Sequence, residues 1–183
     1  MSRRWEGYVY LLAFALCVPA SNWLIGNVGT VCVPDGPCMI PVAPGLMAPS
    51  AVITVGLALV LRDLVQRRLG KWWSVGAILA GAVLSAAVAP PALVLASATA
   101  FLVSELADFA VYTPLARRGL VLAVFASSIV GLVVDSVIFL SLAFGNLDFL
   151  LGQVVGKAWM VVLALPLMRW IEMRDRRAGV QPA

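Results

Sequence analysis

The 183-residue chain has no histidine, only three cysteines, and charged side chains at just 12% of positions. Without histidine the commonest general acid–base group and the commonest zinc ligand are both missing, and two or three cysteines alone make a poor zinc site. No glycine-rich Walker loop occurs, so the chain carries no ATP-hydrolysing element of its own. No serine sits in a nucleophile motif either, which argues against an intramembrane enzyme. The expectation is a protein with no catalytic residue, no cofactor and no metal.

What fills the chain instead is apolar: 62% of residues are hydrophobic and the mean hydropathy is +1.01. The apolar residues fall in runs of about twenty, the length a helix needs to cross the hydrocarbon core. Spans are predicted at 7–25, 50–69, 72–89, 92–113, 119–144 and 150–171. The fold class is therefore an all-α membrane protein, six transmembrane helices forming one integral domain over residues 1–183. A closed β-barrel would need period-two alternation, and none of the runs alternates. Pro90 and Pro91 predict a tight turn, Pro114 ends the fourth span, and Pro19 and Pro166 predict kinks inside the first and sixth.

Basic residues set the orientation, because short cytoplasmic loops retain Lys and Arg. Arg3 and Arg4 precede the first span; Arg62, Arg67, Arg68 and Lys71 fall between the second and third; Arg117 and Arg118 between the fourth and fifth; Arg169, Arg174, Arg176 and Arg177 close the sixth. The opposite loops, 26–49, 90–91 and 145–149, hold no Lys or Arg and only Asp35 and Asp148. Both termini are expected in the cytoplasm and the protein in the inner membrane as a multi-pass species. The net charge of +4 reads as topology, with no nucleic-acid partner implied. The first span lacks a clear small-x-small cleavage site and is expected to remain as a helix. Cys32 and Cys38 share an outer loop and could form a short disulfide, while Pro34 and Pro37 between them could hold the thiols apart; both readings stand.

Topology leaves Lys157 in the sixth span, Glu105 and Asp108 in the fourth and Asp135 in the fifth without a loop to explain them. A charge facing lipid costs about 2.5–3.5 kcal/mol on insertion scales, so these groups should face the bundle interior and one another. Glu105 lies twelve residues from Arg117 and Lys157 twelve from Arg169, which puts both about 18 Å deep and able to meet. Asp108 falls about 4.5 Å nearer the cytoplasm and Asp135 about 7 Å nearer the outside. Phe101, Glu105, Asp108 and Tyr112 share one helical face, as do Ser128, Gly131, Asp135 and Phe139; Gln153 lies one turn from Lys157, with Gly152 and Gly156 permitting close helix approach. The plainer reading is a buried Glu105–Lys157 pair that fixes helix register. Three acids against one base favour a site that waits for a proton, a cation or a donor group of a substrate. Asp108 equally suits a solvated helix end, Asp63 a surface pair among arginines, and Asn22 interhelical glue.

Ser21-Asn22, the run DLVQRRLG from Asp63 to Gly70, ELADFAVY from Glu105 to Tyr112, Asp135-Ser136, Ala143-Phe144, Gln153, Lys157 and Pro166 occur in an order and spacing that resembles the queuosine precursor transporter family, often described as vitamin-uptake-like (VUT). The likeness runs over nearly the whole chain. It implies a six-helix fold similar to vitamin-binding S components and uptake of a deazaguanine base, preQ0 (7-cyano-7-deazaguanine) or preQ1. It also leaves open a role as the substrate-binding subunit of an ATP-driven importer, with an ATPase partner. Where relatives often read Ser-Asn before the fifth-span glycine, this chain has Ser127-Ser128, a departure that bears on substrate preference if that position touches ligand.

A guanine-like edge presents adjacent N–H donors that one carboxylate can accept together, which suits Glu105 first and Asp135 second. Lys157 or Gln153 can donate to the ring carbonyl, and Phe101 or Phe139 can stack on the flat face. The expected contact set is thus Glu105, Asp108, Asp135, Lys157, Gln153, Asn22, Phe101, Phe139 and Ser128. Expected partners are that small molecule and the lipid bilayer; a homo-oligomer is compatible with the sequence. A retinal-type pigment with Lys157 as Schiff base is the rival binding protein, disfavoured by six spans in place of seven.

Overall fold

A computed structural model of the chain describes residues 3–32 and 37–179. Its long elements are α1 (Arg3–Asn27), α2 (Val52–Leu69), α3 (Lys71–Val88), α4 (Val94–Leu115), α5 (Leu120–Phe144) and α6 (Leu150–Arg177). Each coincides with a predicted span to within a few residues, except that α6 runs on past the expected membrane boundary. Met168, Ile171 and Asp175 continue its buried face, so the last turns are held by packing rather than left as a loop. Pro91–Leu93 forms a 3₁₀ turn where the proline pair predicts a tight turn. Gly70 ends α2 at a φ of 94° and Gly145 ends α5 at 68°, left-handed positions that favour glycine.

Two features differ from the sequence reading. The outer loop carries an antiparallel sheet of β1 (Val31–Cys32), β2 (Cys38–Ala43) and β3 (Leu46–Pro49), in the order β1-β2-β3. Its strands pair with one another at one end of the bundle, which satisfies the backbone groups that face a neighbouring strand. A disulfide joins Cys32 to Cys38 across the β1–β2 pairing, with Cα atoms 3.9 Å apart, so Pro37 does not keep the thiols apart. Pro34 and Asp35 lie outside the described residues.

The second difference concerns α2. Five helices, α1, α3, α4 with its preceding turn, α5 and α6, are long and apolar enough to cross a membrane. That supports a multi-pass membrane protein. α2 falls short of the same apolarity because Arg62, Asp63, Arg67 and Arg68 lie inside it, all buried. It packs against every other long helix, α1, α3, α4, α5 and α6, so its charges meet protein on all sides. The apolar outer faces belong to its neighbours: Leu12, Leu79, Val83, Leu95 and Leu163 are all exposed, as a lipid-facing surface requires. Trp5, Trp72, Trp73 and Trp170 are exposed near the arginine-rich end, consistent with an aromatic belt.

Small residues bring α6 onto α2 and the sheet. A Cβ on Gly56 would stand 2.6 Å from the Lys157 carbonyl oxygen, one on Gly156 would stand 2.6 Å from a Val52 methyl, and one on Gly152 would collide with the backbone of Met47. The glycine pair picked out in the sequence does permit close approach, and Gly56 completes it from the facing helix. Gly56→Ala is expected to lower the unfolding temperature in detergent by the equivalent of about 1–3 kcal/mol, because the obstructing atom is backbone and cannot move aside. Gly76→Ala, at a position with nothing within 4 Å, is the control and should melt like the parent.

Candidate functional site

A cavity opens in the half of the bundle nearer the sheet, with a volume of about 80 Å³ once the open solvent at its mouth is left out. Every long helix contributes to its wall, and Pro49 and Ala51 border it beside the sheet. Seven of the nine expected contact residues line it: Asn22, Phe101, Glu105, Asp135, Phe139, Gln153 and Lys157. Ser85, Ser97 and Ser104 add hydroxyls that the sequence does not single out, Ser21 of the Ser21-Asn22 pair adds another, and the free thiol of Cys17 also faces the space. Ser21 Oγ lies 2.7 Å from Thr54 Oγ1 and Asn22 Nδ2 donates to the Val18 carbonyl at 3.0 Å. Asn22 therefore both supports its own helix and lines the cavity.

Lys157 is 1% exposed and has no lone pair, so its three N–H groups need three acceptors. It finds them in Asp135 Oδ2 at 2.6 Å, Gln153 Oε1 at 2.6 Å and Ser136 Oγ at 2.8 Å. The sequence reading brought Lys157 to Glu105. The estimated depths agree with the cavity that both line, but depth along a helix leaves direction around it open, and Asp135 is the acid that faces the lysine. With its donors filled, Lys157 has none left for a ligand. Gln153, its oxygen taken by the lysine, keeps its Nε2 as the donor that can serve one.

Glu105 turns the other way, to Arg62. Arg62 was expected in a cytoplasmic loop; it is fully buried in α2. Its Nε donates to Glu105 Oε2 at 3.3 Å and one terminal nitrogen to Gln66 Oε1 at 3.1 Å. The other terminal nitrogen meets Asp108 Oδ1 and lies 2.8 Å from Asp63 Oδ1. The rings of Tyr112 and Phe109 stand 5.5 and 5.8 Å from its guanidinium carbon. A helix surrounded by five others can bury an arginine if carboxylates come with it, and three do. Asp63 is accordingly no surface residue. It is fully buried and accepts from Ser127 Oγ at 3.0 Å. Asp108 is no solvated helix end, being fully buried beside the same guanidinium.

Asp108 and Ser128 do not line the cavity. Ser128 Oγ is buried without a hydrogen-bond partner, and Asp108 belongs to the layer beneath. Glu105 joins the two layers, since it both lines the cavity and holds Arg62. Below it a third layer closes the arginine-rich end. Arg67 and Arg68 were read as loop residues but are buried, donating to Asp175 at 2.7–3.1 Å. Arg68 and Arg174 both hold Glu6, at 3.0 and 2.6 Å. Trp159 is exposed on the opposite side of α6 from the site, donating to the Val42 carbonyl at 3.0 Å.

If Lys157 and Asp135 answer each other's charge, removing one should cost more than removing both. Lys157→Met is expected to destabilise by about 3–5 kcal/mol because it strands Asp135. The double variant Lys157→Met/Asp135→Asn should recover part of that loss, measured as a double-mutant cycle of thermal stability in detergent.

Residues 84–171, a little under half of the chain, match the family described as putative vitamin uptake transporter. The matched stretch takes in α4, α5 and most of α6, and so Phe101, Glu105, Asp135, Phe139, Gln153 and Lys157. No curated protein and no solved structure matches the chain.

Proposed function

We propose that this chain is a transporter of the inner membrane that takes up a deazaguanine base, preQ0 or preQ1, as a precursor for queuosine in tRNA. The observation that carries the reading is the cavity itself: a carboxylate, a free amide donor and two phenyl rings converge in one apolar-walled space inside a membrane bundle. The match of residues 84–171 to a vitamin uptake family supports the general class. The base is recognised by chemistry the cavity holds. Glu105 has given one lone pair to Arg62 and keeps others for the adjacent N–H donors of a guanine-like edge. Gln153 donates to the ring carbonyl, with Lys157 and Asp135 fixing its amide. Phe101 on α4 and Phe139 on α5 flank the ring, and Asn22 and the serines meet its remaining polar atoms.

In this reading α2 is the central one of six spans, both termini are cytoplasmic, and the cavity faces outward. The arginine layer beneath Glu105 then lies on the cytoplasmic side, and alternating access exchanges which end is closed. The chain works without an ATPase and breaks no bond in its substrate. A role as substrate-binding subunit of an ATP-driven importer is the second reading, favoured by the S-component-like helix count and distinguished by co-purifying ATPase subunits.

The test is uptake of labelled preQ0 by cells unable to make it, expressing this chain alone. Wild type should restore uptake, while Glu105→Gln and Lys157→Met should each lose at least about 90% of it, the first by removing an acceptor and the second by freeing the Gln153 amide to rotate. Normal uptake by Glu105→Gln would remove the assignment. The Cys17 thiol supplies a binding readout: preQ0 should slow its alkylation in the purified protein, and an unchanged rate would argue against binding in this cavity.

A further inference from the structure

Apart from the layer of Arg67, Arg68 and Asp175, four carboxylates are buried within the bundle, Asp63, Glu105, Asp108 and Asp135, against two buried cations, Arg62 and Lys157. Lys157 is committed to Asp135. That leaves Asp63, Glu105 and Asp108 around one guanidinium. The other groups packed around the cluster do not restore the balance. α4 adds Tyr112, whose hydroxyl is buried without a partner; α5 adds Ser127, with Asp135 beyond it; α1 adds Cys17 and α6 adds Lys157, itself taken. Arg67 and Arg68, further along α2, hold Asp175 and Glu6. Three ionised carboxylates sharing one positive charge would leave two negative charges uncompensated, one borne by Glu105 at the cavity wall and the other within the fully buried Asp63–Asp108 pair, where nothing offsets it. Among the described residues no three acidic, cysteine or histidine side chains are placed to hold a metal ion, the three around Arg62 included, which favours the smallest cation, a proton, as the missing charge.

We propose that the carboxyl cluster around Arg62 is a proton-binding site, and that the solute carries this proton with it across the membrane. The proton belongs to Asp63, Glu105 and Asp108 together, as coupled acids share one. Asp108 Oδ2 is buried without a hydrogen-bond partner, so no donor competes with a proton for that oxygen. Of the three acids, Glu105 is the one that lines the cavity, which makes it the door through which the proton exchanges. A base seated on Glu105 needs it ionised as an acceptor, which confines the proton to Asp63 and Asp108 and caps the route back. Solute above and proton below then form one loaded state, and release of the solute reopens the door. The coupling rests on the transport reading; the proton site stands without it.

Infrared spectroscopy of the purified wild-type chain tests the site directly. The carbonyl stretch of a protonated carboxylic acid is expected at neutral pH, shifting in deuterated buffer, and lost or moved in Asp63→Asn, Glu105→Gln or Asp108→Asn. No such band at neutral pH overturns the proposal, and so does a band that survives all three variants and vanishes with Asp135→Asn; the wild-type spectrum decides even if a variant fails to fold. Vesicles holding the purified chain test the coupling. Exchange of labelled for unlabelled preQ0 with no gradient checks transport alone, and its absence counts against the transport reading while the infrared band still judges the site. With the potential clamped, an inward proton gradient should drive accumulation of about tenfold per pH unit for one proton carried per base. Exchange with no such accumulation, or accumulation driven by a sodium gradient instead, overturns the coupling and leaves the transport reading in place.

Discussion

A fully buried guanidinium in a membrane bundle dictates what may stand next to it, and Arg62 does so for most of this fold. Its five donors point in fixed directions, so its acceptors cannot drift. Glu105 and Asp108 lie one turn apart on α4, and the fork reaches both. Their meeting sets how far α4 slides along α2 and how it is rotated. Gln66, a turn further along α2, closes the third edge and passes the constraint to Thr113 at 3.0 Å. α5 enters through Ser127 on Asp63. A buried ion pair is a weak source of net stability and a strong source of specificity. In lipid, where neighbouring helices gain little from hydrophobic contact alone, specificity of this kind is what selects one arrangement of six similar helices.

The cavity begins where the contacts of Arg62 stop, at Glu105. Toward the sheet the facing residues become small or short, Ala58, Ala100, Ser97 and Ser85 among them, and the helices enclose space they do not fill. Toward the arginine-rich end the opposite holds. Arg67, Arg68 and Asp175 join α2 to α6, and Glu6 brings in α1 through Arg68 and Arg174. Three helices are thus clamped by charge at one end and separated by a cavity at the other, while α3 and α4 lean on aromatic contact such as Phe101 over Gly81. Any motion that opens the clamped end must exchange these ion pairs for water, which becomes acceptable only where water can enter. In the proposed transport reading the clamp is suited to a gate, since its partners are charged and shared and lie at the arginine-rich end.

The helices were readable because length and hydropathy act locally, and so was the polar face of α4, because three- and four-residue spacing survives folding. Arg62 was not readable by the same means. Its proximity to Arg67 and Arg68 makes one basic run of what are two different environments, and a rule about loops absorbs residues that lie within a helix. A signal did exist. Three intramembrane acids counted against a single base are out of balance, and the missing cation had to come from a neighbouring span. Arg62 is flanked by Leu59, Val60, Leu61 and Leu64, as no loop arginine needs to be. Pairing was beyond reach for a different reason: depth can be counted along each helix, but whether Lys157 meets Glu105 or Asp135 depends on the rotation of two helices about their own axes. The sheet was missed because its strands are two to six residues long and rich in proline, too short to carry a period.

The Ser127-Ser128 departure shows how a difference near a site can act without touching a ligand. Neither serine lines the cavity. Ser127 donates to Asp63, and Ser128 is buried with its hydroxyl unpaired, one turn from Gly131, where a Cβ would stand 3.1 Å from Asp108. Both therefore border the carboxyl cluster from the α5 side. An asparagine at the second position would bring an amide donor where a hydroxyl now goes without a partner, and that donor would act on the charges around Arg62. Variation there should alter how tightly Glu105 is held, and through it the acceptor offered to the cavity, more than the shape of the cavity itself. The residues that decide what the space above can bind thus include several that lie in the layer below.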